Sequence, residues 1–139
     1  IGPLVLLGVF NVWRNEVFAL YTANAEGWHG LPILNEAFVQ TYLGPINLIL
    51  VLALGVHTYK IISGPTAVAA GAELIYRLAA FALTSALLGA AQPFDLPLPE
   101  WEAMESVFVG LFRLALLGVL FGNAFAIYRA GARLAHRLK

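Results

Sequence analysis

Several residues of chemically capable types lie in strongly apolar stretches of this chain, and their spacing limits what they can do. His57 is followed by Tyr59 and Lys60. A neutral imidazole inside an apolar helix can ligate haem iron or a chlorophyll magnesium, bond a quinone oxygen, or donate to a neighbouring carbonyl. Haem b in a bundle is usually held by two histidines at matched depth. His29 and His136 fall outside the apolar stretches and on opposite sides. His57, Tyr59 and Arg77 are therefore candidate cofactor-binding residues for haem shared with a second chain, for a singly ligated chlorophyll, or for a quinone.

Arg113 stands nine residues past Met104, about 13 Å along a helix. Positions three and four away are Val109, Gly110, Leu116 and Leu117, so no acid can reach it along its own helix. A charge at the bilayer centre costs about 2.5–3.5 kcal/mol on insertion scales, so its partner must come from elsewhere. Glu16 is the acid at comparable depth if the N-terminal segment crosses the membrane, and a Glu16–Arg113 pair is expected. The functional reading gives Arg113 a ligand, proton or substrate instead.

The N-terminal segment carries Gly8, Asn11, Arg14, Asn15 and Thr22, a polar stripe on an otherwise apolar helix. Such a stripe faces protein or a wet cavity. Asn123 offers a similar interhelical hydrogen bond in the last apolar stretch. Arg14, Glu16 and Arg113 together would line a path for an anion or a proton. Glu73 and Arg77 stand four apart, acid first, and predict an interfacial pair along one helix.

No catalytic set accompanies these residues. HExxH, GxSxG and P-loop motifs are absent, as is cysteine. Glu26 and His29 supply two neighbouring ligand types and no third, so neither a metal site nor an enzyme is expected.

The elements that would hold these residues follow from composition. The chain has 139 residues, 60% apolar and 12% charged, with zero formal net charge; its mean hydropathy is +0.81. Soluble domains carry about 25% charged residues. The expected fold is all-α: a polytopic helical bundle in the membrane, forming one domain over 1–139, with no field to attract nucleic acid. Spans are expected near 1–22, 43–63, 71–91 and 104–128, each about the 20 residues that cross a roughly 30 Å core. The first is ambiguous. Either it crosses fully, or it ends a longer helix with Trp13 and Arg14 at the headgroups, leaving three spans. The opening at Ile1 rather than Met predicts residues ahead of it.

Gly27, Gly30 and Pro32, then Gly64–Pro65, then Pro93, Pro97 and Pro99 mark the connections. Trp28 and Trp101 flank them as interfacial anchors would. Leu31–Tyr42 suggests a short surface helix. Gly118, Gly122, Ala126 and Ala130 repeat every four residues, a small-residue stripe suited to close helix packing. Ala82, Ala86 and Ala90 do the same one helix earlier.

Lys60, Arg77, Arg129, Arg133, Arg137 and Lys139 gather on one side, while the connections opposite hold acids. That asymmetry predicts a cytoplasmic C-terminus with a basic tail, 129–139, in a bacterial inner membrane or an equivalent energy-transducing membrane. The function expected is a small non-catalytic subunit of a respiratory or photosynthetic type of complex, with other membrane subunits and the lipid bilayer as partners. The alternatives are an oligomeric transporter or channel using Arg14, Glu16 and Arg113, and a haem- or quinone-binding electron-transport anchor using His57.

Overall fold

The computed structural model describes residues 2–24, 27–90, 92–96 and 102–137. Glu26, Pro97, Pro99, Glu100, Trp101 and Lys139 lie outside the described residues. In chain order the elements are α1 (Gly2–Asn11), the helical turn α2 (Arg14–Val17), β1 (Ala19–Asn24), β2 (Gly27–Pro32), α3 (Glu36–Ser63), α4 (Ala67–Leu88) and α5 (Glu102–Arg137). Three of these helices, α3 to α5, are long and apolar enough to cross a membrane. At about 1.5 Å per residue, the ten residues of α1 reach only about 15 Å. The structure therefore supports a helical membrane protein with three candidate spans, and the expected continuous helix over 1–22 is not formed.

The reason lies at Asn11–Trp13. The Asn11 amide turns back onto the Leu7 carbonyl at 2.8 Å, a side-chain bond that competes with helix propagation. The backbone amides of both Val12 and Trp13 converge on the Gly8 carbonyl, at 2.8 and 3.2 Å. Trp13 then folds over Gly8, where a Cβ would lie 2.8 Å from the indole ring. After one further turn the chain enters an antiparallel hairpin, β1 against β2, in register from Ala19↔Pro32 to Asn24↔Gly27. Gly27 takes a φ of 120° at its tip, a conformation that favours glycine.

The hairpin is fastened to the connection after α4. Ile33 N–H donates to the Phe18 carbonyl at 2.9 Å, Asn35 N–H to Pro93 at 3.1 Å, and Asp95 N–H to Ile33 at 2.9 Å. Leu34 and Phe94 form a β-bridge between the two segments. Ile33, Ala90, Pro93 and Phe94 are buried there. This is the hairpin end of the bundle; the opposite end, carrying Arg133, is the basic end.

The long helices begin earlier than their apolar runs. Asn35 caps α3 by accepting from Phe38 N–H at 3.1 Å, so the helix includes Glu36–Tyr42 and continues through Pro45. No separate surface helix forms. Thr66 caps α4 by accepting from Ala69 N–H at 3.1 Å. Between them Gly64, at φ 68°, makes the tight turn. On α4 the buried positions Ala69, Glu73, Tyr76, Ala80, Thr84 and Leu87 form one stripe at spacings of three and four. Ala82 and Ala86 lie off that stripe and are exposed, so the small-residue repeat expected there is not the packing face. The α5 helix runs on through its basic tail to Arg137.

Candidate functional site

Two places in the fold gather the chain's unusual residues. The first is a charged cluster toward the basic end. Glu73, 6% exposed, lies in the second turn of α4. Its two carboxylate oxygens are divided between helices: Lys60 Nζ of α3 donates to one at 2.9 Å, and Arg133 of α5 donates to the other at 3.1 Å. The expected pairing with Arg77 on the same helix is not the one formed. Arg77 turns instead toward Asn123 of α5, whose side-chain oxygen accepts at a long 3.4 Å. Its guanidinium lies 4.8 Å from the centroid of the Tyr76 ring, within cation–π range. The Nε of Arg77 is buried with no hydrogen-bond partner among the described residues.

Arg77 stands ten residues from the first residue of α4 and eleven from the last, midway along that helix. The cluster counts three cations, Lys60, Arg77 and Arg133, against one carboxylate.

His57 meets the edge of the Tyr76 ring at 6.3 Å, and its side chain is exposed. Tyr59 is exposed on another side of α3, as two residues of helix, about 200°, require. His57 and Arg77 thus meet at the Tyr76 ring, while Tyr59 stands apart from them. Among the described residues, no group of three or more His, Asp or Glu side chains is placed to hold a metal.

The expected Glu16–Arg113 pair does not form among the described residues: the ion pairs there are the two on Glu73. Arg14 and Glu16 sit in the α2 turn, where Arg14 Nε donates to Asn15 Oδ1 at 3.4 Å and the Glu16 carbonyl accepts from the Tyr21 hydroxyl at 2.9 Å. Arg113 is exposed and has neither a hydrogen bond nor an ion pair within the described residues. Its neighbour Phe112 packs edge-on against Phe38, in the first turn of α3, at 6.1 Å, and against Phe94 at 5.4 Å. Arg113 is therefore level with the capped end of α3. The polar stripe of the N-terminal segment resolves into one bond pair: Asn11 and Asn47 exchange reciprocal amide hydrogen bonds at 2.8 and 2.7 Å, tying α1 to α3.

The second place is an apolar chamber of about 340 Å³ toward the hairpin end. Leu6 and Phe10 of α1 make one wall, and Phe112, Leu116 and Val119 of α5 the wall opposite. Helices α3 and α4 supply the floor through Ile46, Ile49, Leu83 and Thr84. The Thr84 hydroxyl is already spent on the Ala80 carbonyl at 2.7 Å. Phe18, Leu34 and Phe94 also line it, so the clamp that fastens the hairpin contributes part of the enclosure. Leu6 and Val119, on facing walls, stay 45% and 52% exposed, so the chamber is partly open. No sequence signal pointed to it, because its walls come from four helices whose relative rotation periodicity does not encode.

No family model, curated protein or solved structure matches the chain.

Proposed function

We propose that this chain is a non-catalytic subunit of a larger integral membrane complex, of respiratory or photosynthetic type, held to its partners by the outward face of α5. The observation that carries this reading is the state of the small-residue stripe. Ala130 is fully buried and Ala126 partly so, within the bundle. One and two turns further on, Gly122 and Gly118 are exposed, and a Cβ at either would meet nothing within 4 Å. A Gly-x-x-x-Gly step lets two helices approach closely in lipid, where hydrophobicity provides no drive for association. Here the chain's own helices leave that step bare.

The transporter reading draws less support, because Arg14, Glu16 and Arg113 gather toward the hairpin end rather than along a path. The redox-anchor reading draws less support because Tyr59 lies on another side of α3 from His57, leaving only His57 and Arg77 together at the Tyr76 ring.

The orientation we propose puts the basic end in the cytoplasm. Arg14 and Arg113 belong to the hairpin end, which reduces the asymmetry. Lys60, Arg129, Arg133 and Arg137 still stand at the other end, and Lys and Arg near span ends set orientation.

The test is Gly118→Ile combined with Gly122→Ile. A Cβ at either position meets nothing within 4 Å, so helix content and thermal midpoint should stay near wild type. Native mass spectrometry from mild detergent should show wild type with companion chains and the variant alone. A wild-type protein that runs as a monomer, or companions that survive the substitutions, would refute the assignment.

A further inference from the structure

We propose that the chamber between α1 and α5 is a phospholipid site, taking one acyl chain of a lipid from the hairpin-end leaflet, with the lipid phosphate at Arg113. The chamber first excludes polar ligands. Its lining is apolar, and the one hydroxyl in it, that of Thr84, is satisfied by the Ala80 carbonyl. Its volume, about 340 Å³, is at the small end of ligand pockets, suited to one flexible hydrocarbon chain. Exposed Leu6 and Val119 leave access from the side, the direction from which a bilayer lipid arrives.

Depth selects the leaflet. Phe94 and Phe112 line the chamber level with the capped start of α3, where a headgroup region would lie. Ile49 and Val119 line it further into the span, short of Asn123 by one helical turn. A chain entering beside Phe112 thus runs inward as a lipid tail does, and its headgroup remains at the level of Arg113.

Charge complementarity selects the headgroup. Arg113 follows Phe112 and precedes Leu116 by one turn, and both are lining residues. It is exposed and has no hydrogen-bond or ion-pair partner among the described residues. Arg14 stands on the other flank, lining a small neighbouring cavity that shares Phe10, Leu34, Phe38 and Ile46 with the chamber. A guanidinium at this level, with its fork of donors free, matches a phosphate. The same reading explains why Arg113 needs no acid from another helix.

The test uses full-length protein in vesicles and phosphatidylglycerol brominated on one acyl chain. Phe112→Trp places a reporter in the chamber wall, and Leu48→Trp places one on the exposed face of α3 outside it. After subtraction of the native tryptophans, quenching at position 112 should saturate at a low fraction of brominated lipid. Quenching at position 48 should follow the bulk bromine content linearly. Brominated diacylglycerol, with the same chains and no phosphate, should need about tenfold more lipid to reach the same quenching at 112. Adding Arg113→Gln should remove that tenfold difference. Linear quenching at both positions would overturn the site. Saturation at 112 that is equal for the two lipids, or unchanged by Arg113→Gln, would overturn the role of Arg113. Leu83→Trp, which fills the floor, gives an independent check by native mass spectrometry. Wild type should retain one phospholipid after detergent washing and this variant none; retention by the variant would also overturn the site.

Discussion

Glu73 joins three helices at one point because its two oxygens are shared between cations of α3 and α5. Removing its charge while keeping its shape separates that role from packing. Glu73→Gln leaves Lys60 and Arg133 facing a neutral amide, but their side chains are 31% and 48% exposed and can be hydrated. The loss should therefore fall short of the roughly 3–5 kcal/mol for breaking a fully buried pair, and lie near the ~1.5–3 kcal/mol of charged hydrogen bonds. Denaturant unfolding in micelles measures it, and an unchanged midpoint would show that the cluster does not hold the bundle. The Asn11–Asn47 pair makes a second prediction at this scale. Each amide both donates and accepts, so a double-mutant cycle with Asn11→Leu and Asn47→Leu should return a coupling of about 0.6–1.7 kcal/mol, the span seen for such bonds in membranes. A coupling of zero would mean that α1 rests on α3 through apolar packing alone. The residue types at both places were legible in the sequence, and so was the need for partners. The partners themselves were not: an i,i+4 spacing offers Arg77 to Glu73, but the opposing helices bring cations closer.

Elements were legible where their signal was local and misread where it depended on contacts far along the chain. The cores of α3, α4 and α5 follow from apolar length alone, and Gly64–Pro65 marks the turn between α3 and α4. The start of α3 lies seven residues ahead of its apolar run, across Pro45, a residue usual in a first helical turn and costly in an interior. The structure nevertheless starts the helix at the Asn35 cap and carries it through that proline. The hairpin was hidden differently. Residues 1–22 are apolar enough to read as a span, and what turns Ala19–Asn24 into a strand is pairing with Gly27–Pro32 and the clamp to Pro93–Asp95. That clamp makes its own prediction. Phe94 bridges to Leu34, is 9% exposed, and packs on both Phe108 and Phe112. Phe94→Ala should cost about 3–5 kcal/mol, as deletion of a buried aromatic does. It should also raise hydrogen exchange at the Asn35 and Asp95 amides while leaving those of mid-α4 protected. Uniform loss of protection along the chain would show the clamp and the bundle to be one cooperative unit.

Across the whole bundle, the division of charge between its two ends bears on which way it faces the membrane. The charges are unevenly divided between its ends, but less so than the linear sequence suggests. The sequence allows Arg14 either within a span or at the headgroups, and the structure puts it in the α2 turn at the hairpin end, lining one cavity with Glu36. Arg113 moves the same way, to the level of the α3 cap. Two arginines thus oppose Lys60, Arg129, Arg133 and Arg137. If Lys and Arg near the span ends govern insertion, the four still outweigh the two. The chain has no cysteine, so single-cysteine variants report position without a background. Ser63→Cys, at the end of α3, and Gln92→Cys, in the connection after α4, are at opposite ends of the bundle, and both positions are exposed. A membrane-impermeant maleimide should label Gln92→Cys in intact cells and Ser63→Cys only after permeabilisation. The reverse pattern would invert the proposed orientation and place the Glu73 cluster on the outer side. Labelling of both in intact cells would contradict the odd number of crossings between the two ends that α4, the helix separating them, requires.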